Sequence, residues 1–163
     1  MKFGLRIQKT ILAIFLCFMI DIFREGMPFY SIIAATLCMQ KDPKMGFEQG
    51  LRRAAGTLVG GAFGLLTIWV FQALSIEYKT LPYVIIVALM AAPIINVNLL
   101  IGLPETAGFS CVVYYSVVVG HIMDVSPLLF VANRMLDTLI GIAVAIVVNK
   151  VIPKRDEESP LVT

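Results

Sequence analysis

Apolar stretches of about membrane length alternate with short polar connections along the whole chain, a pattern that predicts helices rather than strands. The first stretch covers residues 7–23 and closes on Asp21-Ile22-Phe23-Arg24. A tight turn leads into the second, 28–40, where Pro28 suits a first helical turn because its missing N–H costs nothing there. A polar loop over 40–50 precedes the third, 51–74, and residues 75–80 connect it to the fourth, 81–103. The fourth carries Pro93 in its middle and is followed at once by Pro104. The fifth covers 105–123, and the sixth, 128–152, is fenced by Pro127 and Pro153. The expected fold is an all-α membrane protein with six transmembrane helices in one domain, residues 1–153. The charged stretch 154–163 reads as a disordered cytoplasmic tail. The N-terminus has the basic-then-apolar outline of a secretory signal, but no small-x-small cleavage site follows, so it reads as a retained span.

Two of these stretches open on nearly the same phrase. Arg53-Ala54-Ala55-Gly56-Thr57-Leu58-Val59-Gly60 returns 81 residues later as Arg134-Met135-Leu136-Asp137-Thr138-Leu139-Ile140-Gly141. That displacement is about half the chain, and it suggests two three-helix repeats. Three is odd, so the repeats run in inverted orientation, as in many secondary transporters. The pattern points to moving something across a membrane rather than transforming it.

Within the third stretch, Gly56, Gly60 and Gly64 recur every four residues and share one helix face. Such a face lets a second helix approach closely, which matters where lipid supplies no hydrophobic drive between helices. A seam that slides during transport is the competing reading. Polar residues inside the stretches are the candidate chemistry, since a charge in hydrocarbon costs about 2.5–3.5 kcal/mol and usually faces a partner or a cavity. Asp137 lies roughly 14 Å into its helix at 1.5 Å per residue, close to mid-membrane. Arg134 precedes it by one turn, so an intrahelical ion pair is geometrically easy. A structural pair and a role in substrate or proton handling stand side by side. Asn96 and Asn98 follow Pro93, where the proline frees a carbonyl; they either satisfy such groups or line a hydrophilic path. Tyr114 and Tyr115 sit mid-helix, and if one faces lipid the other faces inward. Asp21 and Arg24 read as a solvated pair near an interface. Arg52 and Arg53 read as positive-inside anchors or as a vestibule gathering organic anions. His121 and Asp124 are too little to specify a metal site.

Composition narrows the classes. The chain is 59% hydrophobic and 15% charged, more apolar than a soluble domain of 163 residues can bury. A net charge of +2, with the basic residues scattered, gives no footprint for nucleic acid. Cys17, Cys38 and Cys111 lie inside apolar runs with no CxxC pair and read as core residues, not metal ligands. Ten of the 13 Lys and Arg fall on one side of a six-span topology, which places both termini in the cytoplasm. Trp69, Tyr30, Tyr78 and Tyr83 then fall near the outer interface. No GxSxG elbow, P-loop or HExxH is present, and one histidine leaves little acid–base capacity, so no enzyme and no cofactor is expected.

Several phrases carry a family resemblance. Gly4-Leu5-Arg6-Ile7-Gln8-Lys9-Thr10-Ile11-Leu12-Ala13, the second stretch from Pro28-Phe29-Tyr30-Ser31 to Cys38-Met39-Gln40, and Gly50-Leu51-Arg52-Arg53 with both arginine phrases resemble aromatic acid exporter family membrane domains, related to the fusaric acid resistance proteins. The resemblance covers the chain to about Pro153. It implies a six-helix domain of a bacterial inner membrane, linked to efflux of small aromatic carboxylates. Members often carry a cytoplasmic domain or two membrane halves, so a chain ending at Thr163 is expected to pair with itself.

The reading that follows is a homo-oligomeric exporter of a small, aromatic organic anion in the lipid bilayer. Arg53 and Arg134 attract the carboxylate from opposite sides, Asp137 couples to protons, and Asn96, Asn98 and Tyr115 line the path. The competing reading is a non-transporting scaffold or regulatory subunit of a membrane complex. The two diverge on whether these polar residues converge on one cavity.

Overall fold

The computed structural model describes residues 4–24, 28–40, 42–120, 122 and 126–152, and within them the chain is helix and turn with no strand. The helices, in chain order, are α1 (Leu5–Arg24), α2 (Pro28–Cys38), α3 (Pro43–Ala73), α4 (Leu81–Leu89), α5 (Ala91–Leu100), α6 (Ala107–Tyr115) and α7 (Pro127–Val151). A 3-10 turn, Pro104–Thr106, leads into α6, and a π turn, Ser116–Gly120, continues it. His121, Asp124 and the tail 154–163 lie outside the described residues.

Several helix ends differ from the apolar pattern, each for a local reason. The polar loop expected over 40–50 is largely the start of α3. Asp42 is extended and its side chain accepts the Lys44 N–H at 3.1 Å, an N-cap that lets the helix begin early. The kink in the fourth stretch falls at Met90, three residues before Pro93. Pro93 has no N–H to offer the carbonyl of Leu89, so the ladder opens there. Helix α2 stops at Cys38; its 11 residues rise only about 16 Å, short of a hydrocarbon core of about 30 Å. Among the described residues, three helical segments have the length and apolarity to cross a membrane: Lys44–Ala73, Leu81–Leu100 and Pro127–Val151.

Helix α1 shows how the chain is turned inside out relative to a soluble protein. Lys9, Ala13, Cys17 and Asp21, each four residues apart, form its buried stripe, while Ile11, Phe15, Phe18 and Ile22 are exposed. Charge inward and phenylalanine outward is a stable arrangement only where the surroundings are apolar.

The centre of the molecule is an antiparallel pair. Gly50 of α3 faces Ile142 of α7 and Gly61 faces Val131, so one index rises as the other falls. Helix α6 runs parallel to α3, with Gly56 against Phe109, Gly60 against Val113 and Gly64 against Val117. The glycine stripe is thus the seam for α6. Helix α2 packs mainly on α7, and α1 covers both. Two apolar cores result. One joins α1, α2 and α7 through small side chains such as Ala13, Cys17, Ala34 and Ala145. The other joins α3 to α4, α5 and α6 around Phe71, Tyr83, Ile94 and Tyr114.

The π turn ends α6 with carbonyls left over, and tyrosines meet them. Tyr83 donates its O–H to the Val118 carbonyl at 3.2 Å and Tyr78 donates to Val119 at 3.3 Å. Tyr83 is therefore buried in the second core rather than belonging to an interfacial belt, whereas Trp69 is exposed.

Candidate functional site

The two arginines of the repeated phrase occupy matching environments. Arg53 projects from α3 with its guanidinium 4.0 Å from the Phe109 ring centroid, and Arg134 projects from α7 with its guanidinium 4.0 Å from that of Tyr30. A guanidinium over an aromatic face is held by the ring quadrupole and by planar stacking. Both groups are incompletely satisfied. Nε of Arg53 and Nη1 of Arg134 are buried and have no hydrogen-bond partner among the described residues. Arg134 is only 4% exposed.

The match extends along both helices. Thr57 donates its hydroxyl to the Arg53 carbonyl at 2.9 Å, and Thr138 donates to the Arg134 carbonyl at 2.8 Å. Gly60 lies against the backbone carbonyl of Ser110 in α6, and Gly141 against that of Ser31 in α2. Each α3 or α7 phrase therefore meets the short helix of the other half of the chain, with its arginine on an aromatic ring of that helix. Gly141 is a packing glycine that the four-residue stripe of α3 did not reveal.

Asp137 departs from expectation. It does not pair with Arg134, whose guanidinium is committed to Tyr30. Its carboxylate instead accepts from Arg24 Nη1 at 3.0 Å, and the same nitrogen lies 3.5 Å from Asp21. Ser31 donates its hydroxyl to the second oxygen of Asp21 at 2.6 Å. Asp21 and Asp137 are both buried, so the pair read as solvated is half of a buried cluster: two carboxylates, one serine and Arg24, the one member with about a third of its side chain exposed. The end of α1 folds over α2 and α7 and brings Arg24 within reach.

The remaining candidates separate. Asn98 is fully buried with both polar atoms engaged: one amide N–H donates to the Ile94 carbonyl at 2.8 Å, and its oxygen accepts from Thr106 at 2.6 Å and Ser110 at 3.1 Å. It fastens α5 to α6. Asn96 is exposed on the outer face of α5. Tyr114 is the inward tyrosine, and Tyr115 lies at the surface with 36% exposure. The structure thus sets Arg53 and Arg134 on the facing helices α3 and α7, each against an aromatic ring, and places Asp137 beside Arg24, while Asn96 and Tyr115 stand apart from both.

One pocket opens directly onto an arginine of the pair. It has a volume of about 360 Å³ and is lined by Arg53, Phe109, Arg52, Gln49 and Thr106, with Leu37 closing one wall. That size is at the low end of small-molecule sites, roughly 300–1,000 Å³. Glu105, from the turn before α6, forms an ion pair with Arg52 at its rim. At the end of the α1–α2–α7 core away from Arg24, the buried Lys9 ammonium donates to Asn149 at 3.0 Å, and Asn149 donates to the Gln40 carbonyl at 3.2 Å. Neither Glu105 nor Lys9 stood out in the sequence, because each lies in a stretch that reads as a helix end. Among the described residues no group of three His, Cys, Asp or Glu side chains forms a metal-binding cluster.

The family model described as fusaric acid resistance protein-like matches residues 11–148. No curated protein and no solved structure matches the chain.

Proposed function

The chain belongs to the fusaric acid resistance protein-like family, and on that premise we propose that it is a multi-pass transporter of the plasma membrane that exports small aromatic organic acids. In this reading all six apolar segments enter or cross the bilayer, both termini are cytoplasmic, and the two halves are inverted copies. The antiparallel course of α3 and α7 and their matching arginine, threonine and glycine contacts support the inversion. The working unit is a homo-oligomer.

A single observation carries the assignment of the site. Two arginines on facing helices, Arg134 buried and Arg53 half-buried, each rest on an aromatic ring and each keep a buried nitrogen with no hydrogen-bond partner among the described residues. Buried charge without a counter-charge is costly, and an entering carboxylate supplies both the charge and the missing acceptors. Phe109, the ring that holds Arg53, also lines the pocket and offers an apolar contact to an aromatic substrate. Asp137, paired with Arg24 beside a second buried carboxylate, is the group assigned to proton coupling. Taking a proton releases Arg24 toward Asp21 and removes one negative charge from the cluster.

The test is flux of radiolabelled aromatic carboxylates in proteoliposomes under an imposed pH gradient. The expected result is gradient-driven flux that Asp137→Asn abolishes and that Arg134→Gln reduces to background. Flux unchanged in both variants overturns the role assignments. No flux from folded, correctly inserted wild-type protein overturns the transporter reading in favour of a scaffold.

A further inference from the structure

The lining of the Arg53 pocket includes a residue that the transport reading leaves unused. Glu105 reaches from the 3-10 turn before α6 to Arg52 of α3 and is itself two-thirds exposed. Arg52 and Arg53 are adjacent in sequence and both line the pocket, so the Glu105 carboxylate shares a cavity wall with Arg53, whose Nε has no hydrogen-bond partner among the described residues. The other half of the chain has a counterpart. The 81-residue displacement that separates the two arginine phrases also separates Arg24 from Glu105. Both precede the second helix of their half, and both reach to the third helix of the opposite half: Arg24 to Asp137 on α7, Glu105 to Arg52 on α3. The polarity is reversed, and so is the setting. The Arg24 contact is to a carboxylate only 4% exposed, whereas the Glu105 contact is exposed and lies on an open pocket.

We infer that Glu105 is an internal competitor for the substrate anion: its carboxylate occupies Arg52 in the empty site and is displaced when an aromatic carboxylate enters the pocket between Arg52, Arg53 and Phe109. The inference rests on the proposed anion-binding role of this site and adds the residue that sets its affinity. Displacement is chemically even. One carboxylate replaces another on the same guanidinium, no proton or bond changes hands, and Glu105 returns to water. The pocket fits the exchange, since Phe109 supplies an aromatic ring beside the guanidinium groups and Gln49 adds a polar amide. An exposed ion pair is weak enough to be exchanged in this way. The device offsets one of the two positive charges of the site between substrates and sets a threshold below which an anion does not hold it.

The experiment is equilibrium binding of radiolabelled benzoate to the detergent-solubilised full chain, run as a double-mutant cycle over Glu105→Gln and Arg52→Gln. Glu105→Gln is expected to lower the Kd by roughly two- to fivefold, the factor an exposed ion pair is worth. In the Arg52→Gln background the same change is expected to leave the Kd unmoved, because the competitor has nothing left to occupy. Equal affinity in wild type and Glu105→Gln overturns the inference while leaving the transport reading intact. A gain that persists without Arg52 also overturns it, since the effect is then long-range charge rather than competition for one guanidinium. Absence of binding to every variant, in protein whose circular dichroism is unchanged, overturns the anion site and the inference together.

Discussion

Gly141→Ala tests the packing on which the site depends, because α2 carries the ring under Arg134 and α7 carries Arg134 itself. A Cβ at position 141 meets the Ser31 backbone carbonyl and comes within 2.7 Å of the Ala34 Cβ. Carbon atoms pack comfortably at about 3.5–4.0 Å, so α2 and α7 must part by about 1 Å. The obstacle is backbone and cannot rotate aside, which places the cost toward the upper part of the range of about 1–3 kcal/mol for overpacking. Alanine recovers up to about 1 kcal/mol through its better helix propensity. The net expectation is a loss of about 1–2 kcal/mol. Gly108→Ala is the matched control: nothing lies within 4 Å of its added Cβ, so only the propensity gain remains. The two variants should move in opposite directions, and at roughly 2–4 °C per kcal/mol for a chain of this size the melting temperatures separate by about 4–12 °C. Melting is followed in one detergent with a thiol-reactive dye, for which the buried Cys17 and Cys38 serve as reporters. A Gly141→Ala protein that melts at or above wild type would refute the close approach of α2 and α7, and with it the placement of Tyr30 under Arg134.

Three further outcomes follow from the same geometry. Arg134→Lys keeps the charge but loses the planar stack on Tyr30, worth up to about 2 kcal/mol when desolvated, so the initial rate of aromatic-acid flux should fall by up to about thirtyfold; an unchanged rate refutes the role of the stack. Arg24→Gln leaves Asp21 and Asp137 buried without their cation. Because Arg24 is partly exposed, the loss should fall near the lower end of the 3–5 kcal/mol typical of broken buried pairs, about 3 kcal/mol, and Asp137→Asn in the same protein should restore part of the melting temperature. Tyr83→Phe removes the donor to the Val118 carbonyl at the π turn and should cost about 1 kcal/mol in thermal unfolding; a neutral change means that carbonyl has another partner.

The helical class was legible because apolar runs of this length bind their backbone hydrogen bonds internally only as helices, and the chain belongs to the family its phrases resemble. The glycine spacing marked a close-packing face, and the recurring Arg-x-x-x-Thr-x-x-Gly phrase singled out Arg53 and Arg134. Both signals are local, a matter of period and recurrence within one helix. What lies across from a residue is not local. Spacing put Arg134 one turn from Asp137 and made their ion pair easy, yet Tyr30 and Arg24, brought in by α2 and α1, claimed the two groups separately. Asp21 looked like a solvated residue near a helix end and became buried when that end folded onto α7. Asn98 looked like a path-lining amide until Thr106 and Ser110 took its oxygen. Sequence fixes which groups must find partners, because a buried polar atom is costly wherever it lies. Tertiary structure decides which partner each one finds, since candidates far apart in the chain compete for the same few ångströms and only packing selects among them.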